Sequence, residues 1–177
     1  MRNYTHSVVF IKNEKDEILL GIHRRGPFVG KLNGFGGKLE PGETLVESAY
    51  REVQEETGLE IINYQHVANI YSALGEKQLL IAVLLCNNWS GTPLSETAEM
   101  QDIQWYRQND IPLEQMLPDN QQWLLRVLNG EELTIELSFG DDLKLSECKI
   151  SELQTSIDSK LKEIYSNLDP WQTTLVA

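Results

Sequence analysis

Alternating apolar and polar positions open the chain. Ser7 to Lys12 and Glu17 to His23 show strand periodicity around a polar turn, Asn13 to Asp16, and predict a hairpin without a diagnostic Asn-Gly pair. His23 to Asn33 is a loop holding Gly26, Pro27 and Gly30, locally basic through Arg24, Arg25 and Lys31, and Gly34 to Gly37 continues it with little side-chain bulk. Thr44 to Thr57 is the clearest helix: Leu45, Ala49 and Val53 recur every four residues, Pro41-Gly42 precedes and Gly58 is a left-handed stop. Tyr64 to Ala73 and Gln78 to Asn87 form a second strand pair turning near Gly75, and Ile103 to Tyr106 a short strand. Asn120 to Leu128 predicts a helix ending at Gly130, and Leu133 to Phe139 pairs with Leu143 to Ile150 across Gly140-Asp141-Asp142. Past Leu153 the pattern changes, with Ile157, Leu161, Ile164, Tyr165 and Leu168 at helical spacing up to Asp169-Pro170. A domain over 1–153 followed by an amphipathic helical extension over 154–177 is expected. Strands mixed with helices, without regular βαβ alternation, indicate α/β or α+β with a mixed sheet.

A length of 177 residues suits one domain with an appendage, and 41% hydrophobic and 24% charged content are ordinary for a globular protein. The net charge of −12 argues against binding nucleic-acid polymer, which calls for a basic face. An enzyme of polyphosphates with this charge needs bound cations to reverse the local field. Cys86 and Cys148 lie far apart in no metal-ligand pattern; two free thiols in a reducing cytoplasm are the simpler reading, with a single disulfide as the alternative. The N-terminal apolar run is too short for a secretory signal, and Leu79 to Cys86 is too short to span a bilayer. A cytoplasmic protein without a membrane partner is the expectation.

The chemistry concentrates in Gly37 to Leu59, GKLEPGETLVESAYREVQEETGL. On a helix, residues three and four apart are neighbours, so Glu52, Glu55 and Glu56 share a sector of about 100°. Three adjacent anions repel, and a hard divalent cation with oxygen preference relieves that. Magnesium is the natural occupant and manganese a substitute. Glu43 sits where the helix dipole favours a carboxylate. Arg51, far from the helix C-terminus, is expected to pair with Glu43 or another acidic residue and to hold the geometry of the site.

This spacing, G-x5-E-x7-R-E-U-x-E-E-x-G-U with U aliphatic, is filled at every position, and the chain resembles the Nudix hydrolases. With GKLNGFGGKLEPGET, EMQDIQWY and IPLEQMLPDNQQWL, it is similar to their MutT-type oxidised-purine nucleoside triphosphate diphosphatases. The resemblance implies an α/β/α sandwich and hydrolysis of a nucleoside triphosphate such as 8-oxo-dGTP to monophosphate and pyrophosphate. It implies metal ligation by Glu52, Glu55 and Glu56 with the carbonyl of Gly36 or Gly37, and a further metal or base carboxylate at Glu99. Cations there would bridge phosphate oxygens and lower the pKa of a bound water. Lys38, His23 and Arg24 are implied phosphate contacts, although the subfamily commonly has lysine at the position of His23. Asn33 and Asp119 match purine-reading positions, and Phe35 and Trp123 are candidate pocket walls. Leu117 and Asn120 depart from the Trp and Asp of the subfamily, removing a stacking face and changing an acceptor into a donor-acceptor. Another Nudix substrate (an ADP-sugar, a dinucleotide polyphosphate or an unmodified NTP) and a non-catalytic nucleotide-sensing module remain alternatives. Glu55 and Glu99 both stay open as general base, and monomer and homodimer are both compatible with the chain.

Overall fold

A computed structural model describes residues 4–74, 77–140 and 144–153. The turn at Gly75, the turn at Asp141-Asp142 and the C-terminal amphipathic helix expected from the sequence lie outside the described residues. Eight strands form one sheet: β1 (Tyr4–Lys12), β2 (Glu17–His23), β3 (Leu32–Asn33), β4 (Glu60–Leu74), β5 (Lys77–Ser90), β6 (Met100–Arg107), β7 (Leu133–Phe139) and β8 (Leu145–Glu152). Their order is β3-β2-β1-β5-β4-β7-β8, with β6 on β2. The three expected hairpins, β1–β2, β4–β5 and β7–β8, are antiparallel, while β1–β5 and β4–β7 are parallel, which makes the sheet mixed.

The first turn closes without Asn-Gly because Asn13 Oδ1 accepts from the amides of Lys15 and Glu17 at 2.8 and 3.0 Å, and Asp16 takes a left-handed φ of 60°. β4 and β5 run to 15 and 14 residues, well beyond their apolar cores. Register shifts between Ile61 and Asn63, Asn63 and Gln65, and His66 and Ala68 break strict alternation there, which hides the strand from a period-2 pattern. Leu32–Asn33, expected as loop, is a two-residue strand on β2.

Strand alternation divides the core into two layers. Val9 and Ile11 of β1 point toward one helix, α1 (Leu45–Thr57), whose stripe of Leu45, Ala49 and Val53 is buried against them. Phe10, between them in sequence, points the other way, toward α2 (Asn120–Leu128) with its buried Trp123, Leu124, Val127 and Leu128. Trp123 meets Phe10 edge to face at 6.0 Å, an arrangement favoured by the ring quadrupoles. A helix thus covers each face of the sheet, the expected α/β/α sandwich.

Candidate active site

The acidic centre is set by how α1 begins and ends. Thr44 caps it: its hydroxyl accepts from the Glu47 amide at 3.2 Å while the Glu47 carboxylate accepts from the Thr44 amide at 2.8 Å. Gly58 ends it at φ 75°, a left-handed turn that favours glycine. Glu56 falls three residues after Val53, on the same stripe as the apolar contacts, and is only 2% exposed. Glu52 is half-buried beside it, and Glu55 points outward with its side chain 54% exposed.

Arg51 ties this end together. Its Nε and Nη2 donate to the two oxygens of Glu43 at 2.7 and 2.9 Å, a bidentate pair. Its Nη1 donates to Glu52 Oε1 at 2.8 Å and Glu55 Oε2 at 3.3 Å, and Nη2 reaches the Lys38 carbonyl at 3.4 Å. The Arg51 side chain is about three-quarters buried, and its hydrogen bonds to Glu43 and Glu52 hold the guanidinium firmly charged against that burial. The Gly36 amide donates to Glu56 Oε2 at 2.8 Å. A Cβ at Gly36, whose φ is 154°, would run into the Ser7 carbonyl, and one at Gly37 into the Glu52 carboxylate. Gly36 is therefore required by its close approach to the β1 backbone, while a side chain at Gly37 would displace the Glu52 carboxylate.

Burial pushes the Glu56 carboxyl up to about 8, against the Gly36 hydrogen bond and with help from the negative charges of Glu52, Glu99 and Glu55. Burial also raises Glu52. Among the described residues no three acidic, His or Cys side chains are gathered tightly enough to hold one ion. Arg51 occupies Glu52 and Glu55, and Arg25 forms an ion pair with Glu99 on the strand-6 side. The donor chemistry nonetheless fits a hard divalent cation: every group is an oxygen, and like charges disfavour ionisation until a cation offsets them.

On the α2 side of the sheet lies a cavity of about 690 Å³. Asn33, Asp119 and Asn120 supply its polar end; Asn120 Nδ2 reaches Asn33 Oδ1 at 3.5 Å, and Trp123 Nε1 donates to Asp119 Oδ2 at 2.9 Å. Asp119 is buried, which raises its carboxyl despite the Trp123 hydrogen bond. Aliphatic Ile70, Ile81, Leu117 and Leu137 line the rest. The cavity runs on to Gly36 and Gly37, the two glycines that lie against Glu56 and Glu52.

The structure brings Asn33, Leu117, Asp119, Asn120 and Trp123 together on this cavity, with His23 at its rim facing Phe28 at a ring distance of 6.0 Å. Burial lowers the His23 pKa, so the ring is neutral where a phosphate contact calls for a cation. Phe35 is not a pocket wall: it pairs with Val9 and is buried in the α1-side core, on the opposite face of the sheet. Lys38 does not line the cavity but flanks it, bridged to His6 across the β1 edge. Arg24 turns away to the Thr97 carbonyl at 2.8 Å and Glu96 at 3.6 Å, so it is not placed for phosphate. Sequence pattern missed Arg25 against Glu99, His6 on the cavity floor, and the contribution of Leu137, Phe139 and Leu145 from the last hairpin. Only long-range pairing brings the hairpin residues there. For Glu56 a local signal existed, because it continues the Leu45-Ala49-Val53 stripe.

A partly buried, arginine-bound glutamate cluster beside a cavity of about 690 Å³ fits the hydrolysis of phosphate anhydrides. The NUDIX domain family model matches residues 1–127, and the chain belongs to that family of Nudix hydrolases, which act on small nucleotides and generally with a divalent metal. It is 34% identical over 139 residues to the oxidized purine nucleoside triphosphate hydrolase of Danio rerio, covering 77% of this chain and 88% of that protein. To the mouse (Mus musculus) protein of the same name it is 32% identical over 130 residues, covering 72% and 82%. The crystal structure of a MutT protein from Bacillus halodurans shares the fold with a TM-score of 0.70 at 19% identity, covering 84% of this chain and 97% of that one.

Proposed function

We propose that this chain hydrolyses oxidised purine nucleoside triphosphates such as 8-oxo-dGTP to the nucleoside monophosphate and pyrophosphate, clearing them from the nucleotide pool. The observation that carries the reading is one cavity running from Asn33, Asp119 and Asn120 to Gly36 and Gly37 beside Glu52 and Glu56. Water is added across the α,β-phosphoanhydride bond, which gives nucleoside monophosphate and pyrophosphate. Glu52, Glu55, Glu56 and Glu99, with a Gly36 or Gly37 carbonyl, would hold magnesium, or manganese in its place. The metal supplies charge neutralisation on the phosphates and activation of water. Arg51 fixes the carboxylates, and either Glu55 or Glu99 takes the proton from the attacking water. Asn33, Asp119 and Asn120 present the donors and acceptors that read the purine edge. Steady-state hydrolysis with magnesium, comparing 8-oxo-dGTP, 2-oxo-dATP, dGTP and ADP-ribose, tests this. A kcat/KM preference for an oxidised purine with pyrophosphate released supports it; turnover of ADP-ribose alone overturns the base assignment.

Leu117 and Asn120 favour a second reading, a Nudix pyrophosphohydrolase of another nucleoside diphosphate derivative, which the same panel separates. In both readings the protein works on a free nucleotide, as monomer or homodimer, and the free thiols of Cys86 and Cys148 suit a cytoplasmic site of action. Among the described residues no helix is long and apolar enough to cross a membrane.

A further inference from the structure

Among the described residues, His6 Nδ1, Ser7 Oγ and His23 Nε2 are buried without a hydrogen-bond partner, and all three residues line the one cavity. A buried polar atom without a partner is costly, and in native proteins it marks a place where water or a ligand completes the bond. His6 has the most defined position. Alternation along β1 puts it on the face of Phe10, toward α2, and away from Val9 and Ile11, which face α1. Its cross-strand partners are Ile81 on β5 and Lys38 on the other edge, and Ile81 in turn pairs with Ile70. Opposed residues project to the same side, so the imidazole lies on the cavity floor in a row with Ile81 and Ile70.

We propose that His6 reads the sugar of the nucleotide, one ring nitrogen hydrogen-bonding a ribose hydroxyl. The inference rests on the nucleotide reading of this cavity. Its base-reading end is fixed by Asp119, bonded to Trp123, which packs on Phe10. The opposite end is Gly37, whose carbonyl accepts from the Ser7 amide at 2.9 Å and whose Cα abuts the Glu52 carboxylate. His6 adjoins that second end, one strand repeat or about 7 Å beyond Val8. The part of a nucleotide between its base and its phosphates is the sugar. A neutral imidazole carries one donor and one acceptor, and a hydroxyl is its match in both senses. No residue of α1 lines the cavity, so the ring is not placed among the acidic side chains.

The test uses full-length protein with magnesium and the ribo, 2′-deoxy and 2′,3′-dideoxy forms of 8-oxoguanosine triphosphate, in the wild type, His6→Leu and His6→Asn. Wild-type kcat/KM should fall about fivefold to tenfold when the contacted hydroxyl is removed, the size of one neutral hydrogen bond. His6→Leu should lower the hydroxyl-bearing substrates by that factor, leave the one lacking it unchanged, and so flatten the series. His6→Asn, with its amide, should restore part of the dependence. A His6→Leu enzyme with the wild-type sugar dependence, or with an equal loss on all three sugars, overturns the proposal. If the wild type hydrolyses no 8-oxoguanosine triphosphate, the substrate reading has failed. The same three sugars of the base that is turned over, or calorimetric binding of the corresponding monophosphates, then still decide the role of His6.

Discussion

The two halves of the site meet at Gly36 and Gly37 and are built in opposite ways. The acidic half is local and charged: Glu43, Arg51, Glu52, Glu55 and Glu56 come from one helix and the turn before it. Arg51 makes its bonds to Glu43 and Glu52 at 2.7 to 2.9 Å. The cavity half is remote and largely aliphatic, drawn from β1 to β5, the loop between β2 and β3, α2 with the loop before it, and the β7–β8 hairpin, with three polar side chains at one end. A helix frame holds charges in fixed relation, so the chemistry of the acidic half tolerates little change. A sheet floor presents separate side chains on separate strands, so the cavity can change substrate one residue at a time. The difference locates reaction type on α1 and specificity in the cavity.

The largest effect should come from breaking the acidic half. Glu56→Gln is expected to lower kcat/KM for whichever nucleotide is turned over by roughly a thousandfold, the scale of losing a positioned group at a reacting centre. The fold should survive, because Glu56 without metal is already held largely protonated at neutral pH. Near-wild-type turnover by the variant would falsify the metal assignment.

A pH titration of stability in chelator follows from the same group. Glu56 is raised from 4.5 to about 8 in the folded protein, so the native state holds a proton that the unfolded chain releases. Its contribution is full below about 4.5 and is lost as pH rises through about 8, at up to about 1.4 kcal/mol per pH unit for one proton. Denaturant unfolding between pH 5 and 8 should show declining stability in the wild type and a shallower decline in Glu56→Gln. Magnesium should restore stability at the alkaline end. Equal slopes in the two proteins would mean that Glu56 is ionised despite its burial.

On the cavity side, Asp119→Asn should keep the acceptor for Trp123 Nε1 while presenting an amide to the base. Preference for 8-oxo-dGTP over dGTP is expected to change by about tenfold, with the rate on the preferred base staying within that range. Circular dichroism should be unchanged. An unaltered base preference would remove Asp119 from purine reading.

The unequal construction also explains what the sequence reveals. The acidic half is legible because helical geometry converts spacing into contact: Arg51 and the three glutamates stand within six residues on the helix between Thr44 and Gly58, and Glu43 directly precedes its cap. Even the burial of Glu56 is implied by the stripe it continues. The cavity is hardly legible without resemblance. Phe35 lies beside Asn33 in sequence yet faces the other core, because its partner on β1 is Val9. His6 and Ile81 are 75 residues apart and meet only through a parallel pairing, which no local period announces. The bulges in β4 likewise conceal the start of that strand.

The smallest expected effect sharpens the specificity half. Leu117 lines the cavity beside Asp119 and offers no ring to a purine. Leu117→Trp would supply a stacking face, a contact worth about 1 kcal/mol in aromatic pairs. That corresponds to about a fivefold lower KM for an oxidised purine triphosphate, with kcat unchanged if the ring binds ground state and transition state alike. The gain depends on the indole finding room among Ile70, Ile81 and Leu137, and a cavity of about 690 Å³ leaves that space. Measuring KM for 8-oxo-dGTP and for ADP-ribose in the same variant separates stacking from crowding. Stacking lowers KM for the purine seated against Asp119, whereas crowding raises KM for both. A rise for both substrates would mean that Leu117 is there to keep the cavity open for a larger base, and would move the substrate away from a simple oxidised purine.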